Sequence, residues 1–235
     1  MRKKIAGAFV SSEPSHSLTA RMRYDPRLAT LTDALAAAVA VALPWSTSLT
    51  VAFVWLYLAS LLPRLTIPEL GRAFREPVSA VSSALLVLGA LGMLWADVAM
   101  RERLGGLGGF RFVLFIPALI LHFRHSANAH WVLAGFLASC SVLMVLSWTL
   151  HLFPNIPWTR PVLNPDVPVK DHITQSMEFT VCIFVLAALA AGAWKARRNW
   201  LALSLIVLAL AFLSNIFYVA TSRTALVALP ILLLL

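Results

Sequence analysis

The chain has 235 residues, of which 60% are hydrophobic and 12% charged, with a formal net charge of +9. Soluble domains are about 45–50% apolar and about 25% charged, so this composition excludes an ordinary soluble domain and points to a polytopic membrane protein. Excess positive charge in a soluble chain would suggest nucleic acid. Here no basic stretch interleaves with aromatics as a single-strand site requires, and basic residues beside apolar runs instead anchor cytoplasmic loops.

The N-terminal stretch MRKKIAGAFVSSEPSHS has only a short apolar run, Ile5 to Val10. A secretory signal needs about 7–15 apolar residues, so residues 1–28 read as a basic cytoplasmic tail. The transmembrane domain then covers 29–235. A spanning helix takes about 20 apolar residues. Ala29 to Leu62 is too long for one, and PWSTS at Pro44–Ser48 interrupts it. Arg21, Arg23 and Arg27 precede it, and Arg64, Arg72 and Arg75 follow. Both flanks are basic, so both belong on the cytoplasmic side, and the stretch is read as two spans.

Val78 to Ala96 is the third span, with Trp95 as its interface anchor. A polar, glycine-rich connection, DVAMRERLGGLGGFR, leads to Phe112–Phe123, a short fourth span in which Pro117 predicts a tilt or kink. Trp131–Leu150 is the fifth. An external loop, 151–176, is rich in proline and leads into the sixth, Met177–Trp194, after which KARRN follows at once. Trp200–Ala220 is the seventh, and Thr224–Leu235 begins an eighth that is cut short. The expected fold is therefore all-α, a polytopic membrane helical bundle of about seven complete spans plus a truncated eighth, with a cytoplasmic N-terminus. In that orientation thirteen of the 19 Lys and Arg residues fall on cytoplasmic segments and six on external ones, as the positive-inside rule asks.

Arg223 is the first candidate for chemistry. An arginine at the centre of a membrane helix costs about 2.5–3.5 kcal/mol on insertion scales, so it needs a partner, a cavity or an interface. Flanked by Thr221, Ser222 and Thr224, it reads either as a snorkelling interfacial side chain or as a site for phosphate oxygens. Asn215, eight residues earlier, would share its helix face. The external loop offers Arg160, Lys170, Asp171 and His172 just before the sixth span. Lys170 and Arg160 are suited to phosphate, and Asp171 to orienting His172 or pairing with Lys170. Thr174 and Gln175 read as helix-start residues.

Other polar residues read as ordinary. His122, Arg124, His125 and His130 match no metal-ligand spacing and suit lipid headgroups. Asp97 and Glu102 beside Arg101 and Arg103 read as solvated pairs. Asp33 and Glu178 lie near span starts, close enough to an interface to be hydrated. Cys140 and Cys182 fall inside spans and suggest neither a disulfide nor a zinc site. No dinucleotide or phosphate-loop motif is present, so no cofactor and no metal is expected.

Three segments carry a family resemblance. GMLWADVAMRERLGGLGGFRFVLFIPALI resembles the third-to-fourth span region of bacterial O-antigen ligases and the related O-antigen polymerases. VKDHITQSMEF resembles the external loop leading into a later span of that family, and TSRTALVAL its Ser-Arg-Thr segment. The resemblance covers roughly 78–235 and implies a multi-pass protein of the inner membrane of a Gram-negative bacterium. It implies a donor, an undecaprenyl-pyrophosphate-linked glycan, and a lipid A–core acceptor on the periplasmic side, joined by metal-independent, inverting glycosyl transfer. Membrane lipids are the other expected partner, and nucleic acid is not one. Arg223 matches the family arginine that contacts the donor pyrophosphate, where fixed cations stabilise the charge of the leaving group. Family members are longer, and a large loop in their second half supplies a further arginine and a histidine. This chain stops before such a loop, so the expectation is a front portion, inactive alone, and His172 does not take that histidine's role. The resemblance leaves an O-antigen polymerase as the alternative to a ligase, and the residues themselves leave a transporter or flippase of lipid-linked sugars and an inactive truncated membrane protein.

Overall fold

The computed structural model describes residues 26–64, 67–103, 115–124, 126–156, 167–220, 222, 225 and 227–228. The main elements are α1 (Pro26–Ala42), α2 (Thr47–Leu61), α3 (Ile67–Phe74), α4 (Pro77–Gly92), α5 (Phe115–Phe123), α6 (Ala129–Leu152), α7 (His172–Lys195) and α8 (Asn199–Tyr218). No strand occurs among the described residues. The fold is that of a helical membrane protein. α6, α7 and α8 are long and apolar enough to cross a bilayer: at 1.5 Å per residue, 24 residues reach about 36 Å, against a hydrocarbon core of about 30 Å. α2 and α4 are apolar but shorter, at 15 and 16 residues.

Side-chain bonds fix the direction of each helix. Ser147 on α6 accepts from Gln175 on α7 at 3.0 Å, so these two run antiparallel. Phe179 and Phe212 meet edge-on at 5.0 Å, which sets α7 antiparallel to α8. α1 lies parallel to α6: Ser139 donates to the Val41 carbonyl at 2.7 Å, and Asn128 bonds Asp33 two turns earlier on α1. The bundle therefore has two ends. The basic end carries Arg27, Arg124, Lys195, Arg197 and Arg198. The far end holds the α1–α2 turn, the end of α6, the start of α7 and the end of α8.

Local chemistry explains the boundaries. The turn over 43–46 contains Pro44 and restarts with Ser46, whose hydroxyl accepts from the Leu49 N–H at 3.3 Å, an N-cap. Trp45 donates to Ser139 at 2.7 Å and ties this turn to α6. The two-helix reading of 29–62 is thus what the structure shows. Pro117 is the third residue of α5 as described, where the backbone N–H has no intrahelical partner to lose. At the α7–α8 turn Arg197 takes φ 55°, the left-handed conformation that closes a helix end. Exposed Trp194 and Trp200 flank it, as an interface belt does.

Two apolar clusters hold the bundle. One joins Cys140, Leu143 and Met144 of α6 to Phe179, Cys182, Ile183 and Leu186 of α7 and Phe212 and Ile216 of α8, with Ala225. The other joins Ala36, Tyr57, Leu61 and Ala118 near the basic end.

Candidate functional site

The far end gathers buried polar groups around the start of α7. Asp171 is the N-cap of that helix: its carboxylate accepts from the Thr174 N–H at 2.9 Å and the Thr174 hydroxyl at 2.7 Å. These bonds, the side-chain one first, hold the exposed carboxyl below its ordinary value. The sequence fits this role, because an Asp at N-cap satisfies the orphan amides of the first turn. Asp171 therefore serves as a cap, and Lys170 bonds Glu178. The external loop is correspondingly shorter than the expected 151–176: residues 172–176 are already helical, with His172 at the first helical position.

Lys170 reaches elsewhere. Its ammonium donates to Glu178 Oε1 at 3.1 Å and also to the Leu43 carbonyl in the α1–α2 turn. Glu178 is not hydrated as its sequence position suggested. It is 7% exposed, because α7 starts five residues earlier than expected and carries Glu178 two turns into the bundle. The Lys170–Glu178 pair is thus largely desolvated, and Lys170 spends its charge inside the protein. Glu178 Oε2 and Gln175 Oε1 are buried with no partner among the described residues. Helical spacing puts Gln175, Glu178 and Cys182 on the side of α7 that faces α6. In the Ser147–Gln175 register, Cys182 comes opposite Cys140. Both are free, buried thiols.

Asn215 lies on the other side, against α7's Ser176–Phe179 turn, as the Phe179–Phe212 contact dictates. It is fully buried, and neither its amide oxygen nor its amide nitrogen has a partner among the described residues. Ser222, 3% exposed, has an equally unpartnered hydroxyl. Ala225 packs into the same cluster as Phe212 and Ile216. Helix α8 ends at Tyr218, and the Val219 and Ala220 amides close it on the Asn215 carbonyl at 2.9 Å. Helix α8, which carries Asn215, ends five residues before position 223. Arg223 and Arg160 lie outside the described residues.

A second polar constellation, missed in the sequence, occupies the basic end. Asp33, 3% exposed, pairs with His122, 4% exposed, at 2.6 Å. Ser126 and Asn128 add hydrogen bonds of 2.7 Å each to the two carboxylate oxygens. His122 is thus a core residue and not a headgroup contact, and Asp33 is not hydrated. Arg124 pairs with Glu76. No grouping of three or more His, Cys, Asp or Glu side chains suited to a metal occurs among the described residues.

Comparison with protein families, characterised proteins and solved structures returns no match for this chain.

Proposed function

We propose that the chain is an integral membrane protein of about seven spans whose basic end faces the cytoplasm. In this reading its far end works on a lipid-linked glycan pyrophosphate in the manner of an O-antigen ligase, passing the glycan to lipid A–core in a bacterial inner membrane. The substrate class comes from the short motifs around Trp95–Asp97, His172–Ile173 and Ser222–Arg223. The observation that carries it structurally is the state of Asn215 and Ser222. Buried polar groups are nearly always satisfied, and an unpaired one costs about 1–3 kcal/mol. Asn215 and Ser222 hold N–H and O–H donors that have no partner among the described residues, near Arg223 in the chain. Donors of that kind, with a guanidinium, suit phosphate oxygens. Lys170 is engaged by Glu178, and in this reading Arg223, with Arg160 as the other candidate, is the cation for a leaving pyrophosphate.

A transporter of lipid-linked sugars is the second reading. It is favoured by two desolvated ion pairs inside the bundle, Asp33–His122 and Lys170–Glu178, since ionisable residues inside a bundle often mark transport paths. Deleting the gene in its host and examining the surface polysaccharide separates these. A ligase deletion leaves lipid A–core without long glycan while the lipid-linked polymer accumulates. A polymerase deletion leaves core carrying one repeat unit. A transporter deletion traps the lipid-linked repeat on the inner leaflet. Re-expression of an Arg223→Ala variant restores nothing if Arg223 holds the donor. Full restoration removes Arg223 from the site.

A further inference from the structure

The Asp33–His122 constellation is independent of the far-end site and stands on its own geometry. Asp33 Oδ1 takes the His122 Nε2 at 2.6 Å and the Ser126 hydroxyl at 2.7 Å, and Oδ2 takes the Asn128 amide at 2.7 Å. The Asn128 backbone N–H donates to Ser126 at 3.1 Å, closing the turn on itself. Three donors thus converge on one carboxylate. That arrangement suits an ionised Asp33, since a protonated carboxyl would have to donate to one of them.

The surroundings are apolar. Tyr57 meets the His122 ring edge-on at 5.8 Å and Phe123 meets it at 4.8 Å. Ala36, Leu61 and Ala118 pack around Tyr57. In such a shell the pair is electrically neutral only while the imidazole carries its proton. Without it, the aspartate charge is left buried with a neutral partner, which is costly inside a membrane bundle. The element at stake is small. α5 has nine residues, and it reaches α1 through His122 and α2 through the Tyr57 hydroxyl, which donates to the Ala118 carbonyl at 3.2 Å.

We propose that Asp33, His122, Ser126 and Asn128 form a proton-operated latch at the basic end: the protonated imidazole holds α5 and the Ser126–Asn128 turn on α1, and loss of that proton frees them. The bound species is a proton taken from the side of the membrane that the basic end faces. Other ionisable groups around it are Tyr57 from α2, Arg27 on α1, Arg72 on α3, Glu76 before α4 paired with Arg124, and His130 on α6, whose Nδ1 lies 3.3 Å from the Ala127 carbonyl. His130 is a second histidine on a neighbouring helix, and His125 follows His122 by three residues in the chain, so the test must separate His122 from them.

Hydrogen exchange over residues 116–132 reads the latch directly, on the full chain in lipid nanodiscs from about pH 5 to about pH 9, after correction for intrinsic exchange rates. The wild type and a His130→Gln variant should lose protection toward the alkaline end by on the order of tenfold or more. His122→Gln, which leaves the carboxylate uncompensated at every pH, should be poorly protected throughout. The Asp33→Asn/His122→Gln double variant, neutral and still hydrogen-bonded, should be protected throughout, and so shows that the helix can fold without the charges. Flat protection in the wild type overturns the proposal. So does a transition that survives His122→Gln or vanishes with His130→Gln.

Discussion

Lys170 pairs with Glu178 across the first two turns of α7, at 3.1 Å, and the same ammonium caps the Leu43 carbonyl of the α1–α2 turn. One side chain therefore joins the α7 start to the turn that ends α1. Removing one member of a desolvated pair strands the other charge, at about 3–5 kcal/mol. Lys170→Met should destabilise the bundle on that scale, and Glu178→Gln less, because the glutamine still accepts from Lys170. A Lys170→Met/Glu178→Gln double variant should recover much of the loss, since neither charge remains. Equilibrium unfolding in detergent of the three variants checks this. Strict additivity of the two single effects would show that the pair is not coupled.

Asp171 supports the same helix start by a different mechanism. Asp171→Ala should cost about 0.5–2 kcal/mol, and Asp171→Asn or Asp171→Ser much less, as N-cap replacements do. Hydrogen bonds from Thr174 depress the Asp171 carboxyl in the folded state. A depressed group contributes stability that is fully present above its unfolded value near 3.9 and is lost as pH falls through the folded value. The stability gap between wild type and Asp171→Asn should therefore be constant from neutral pH to about pH 5 and close in more acidic solution. A gap that closes instead between pH 6 and pH 8 would assign the effect to a histidine.

These two residues also show where the sequence was legible. The α1–α2 turn could be read because Pro44 and Ser46 each carry a local signal, a helix stop and an N-cap. α6, α7 and α8 could be read because each holds an apolar run of membrane length. The start of α7 was set too late because the run of apolar residues begins at Met177, whereas the helix begins at Asp171, whose Asp-x-x-Thr spacing is a capping signal that hydropathy does not weigh. Long-range pairs were beyond reach. Asp33 and His122 are 89 residues apart, and each looks like an interfacial residue until α1 and α5 are placed side by side. The unpartnered state of Asn215 depends likewise on what the neighbouring helices fail to offer.

Asn215 yields a prediction in which stability and function move in opposite directions. Its two amide atoms are buried and unpartnered among the described residues, so the residue costs the fold about 1–3 kcal/mol of desolvation. Asn215→Leu, close in size and apolar, should raise stability by up to that amount and abolish the far-end activity. Such opposition marks a functional polar group. If Asn215→Leu instead destabilises the protein while leaving surface polysaccharide normal, the amide is structural and the phosphate reading loses its support.

The α1–α6 contact makes a last, sharper test, because two helical glycines should respond with opposite signs. Gly192 in α7 has open space where a Cβ would go, and the only consequence of Gly192→Ala is the better helix propensity of alanine, up to about 1 kcal/mol stabilising. At Gly135 in α6 an added Cβ would lie 3.0 Å from Val41 Cγ2 and 3.6 Å from the Ala37 carbonyl. Val41 is stiff at χ1, so it cannot swing away without moving α1, and α1 is held to α6 near its middle by the Asn128 bond to Asp33 and near its C-terminus by the Ser139 bond to the Val41 carbonyl. Gly135→Ala should therefore destabilise despite its propensity gain, and adding Val41→Ala should turn the effect positive. Unfolding midpoints of Gly135→Ala, Gly192→Ala and the Gly135→Ala/Val41→Ala pair decide it: a stabilising Gly135→Ala alone would mean that α1 and α6 approach less closely than this packing requires.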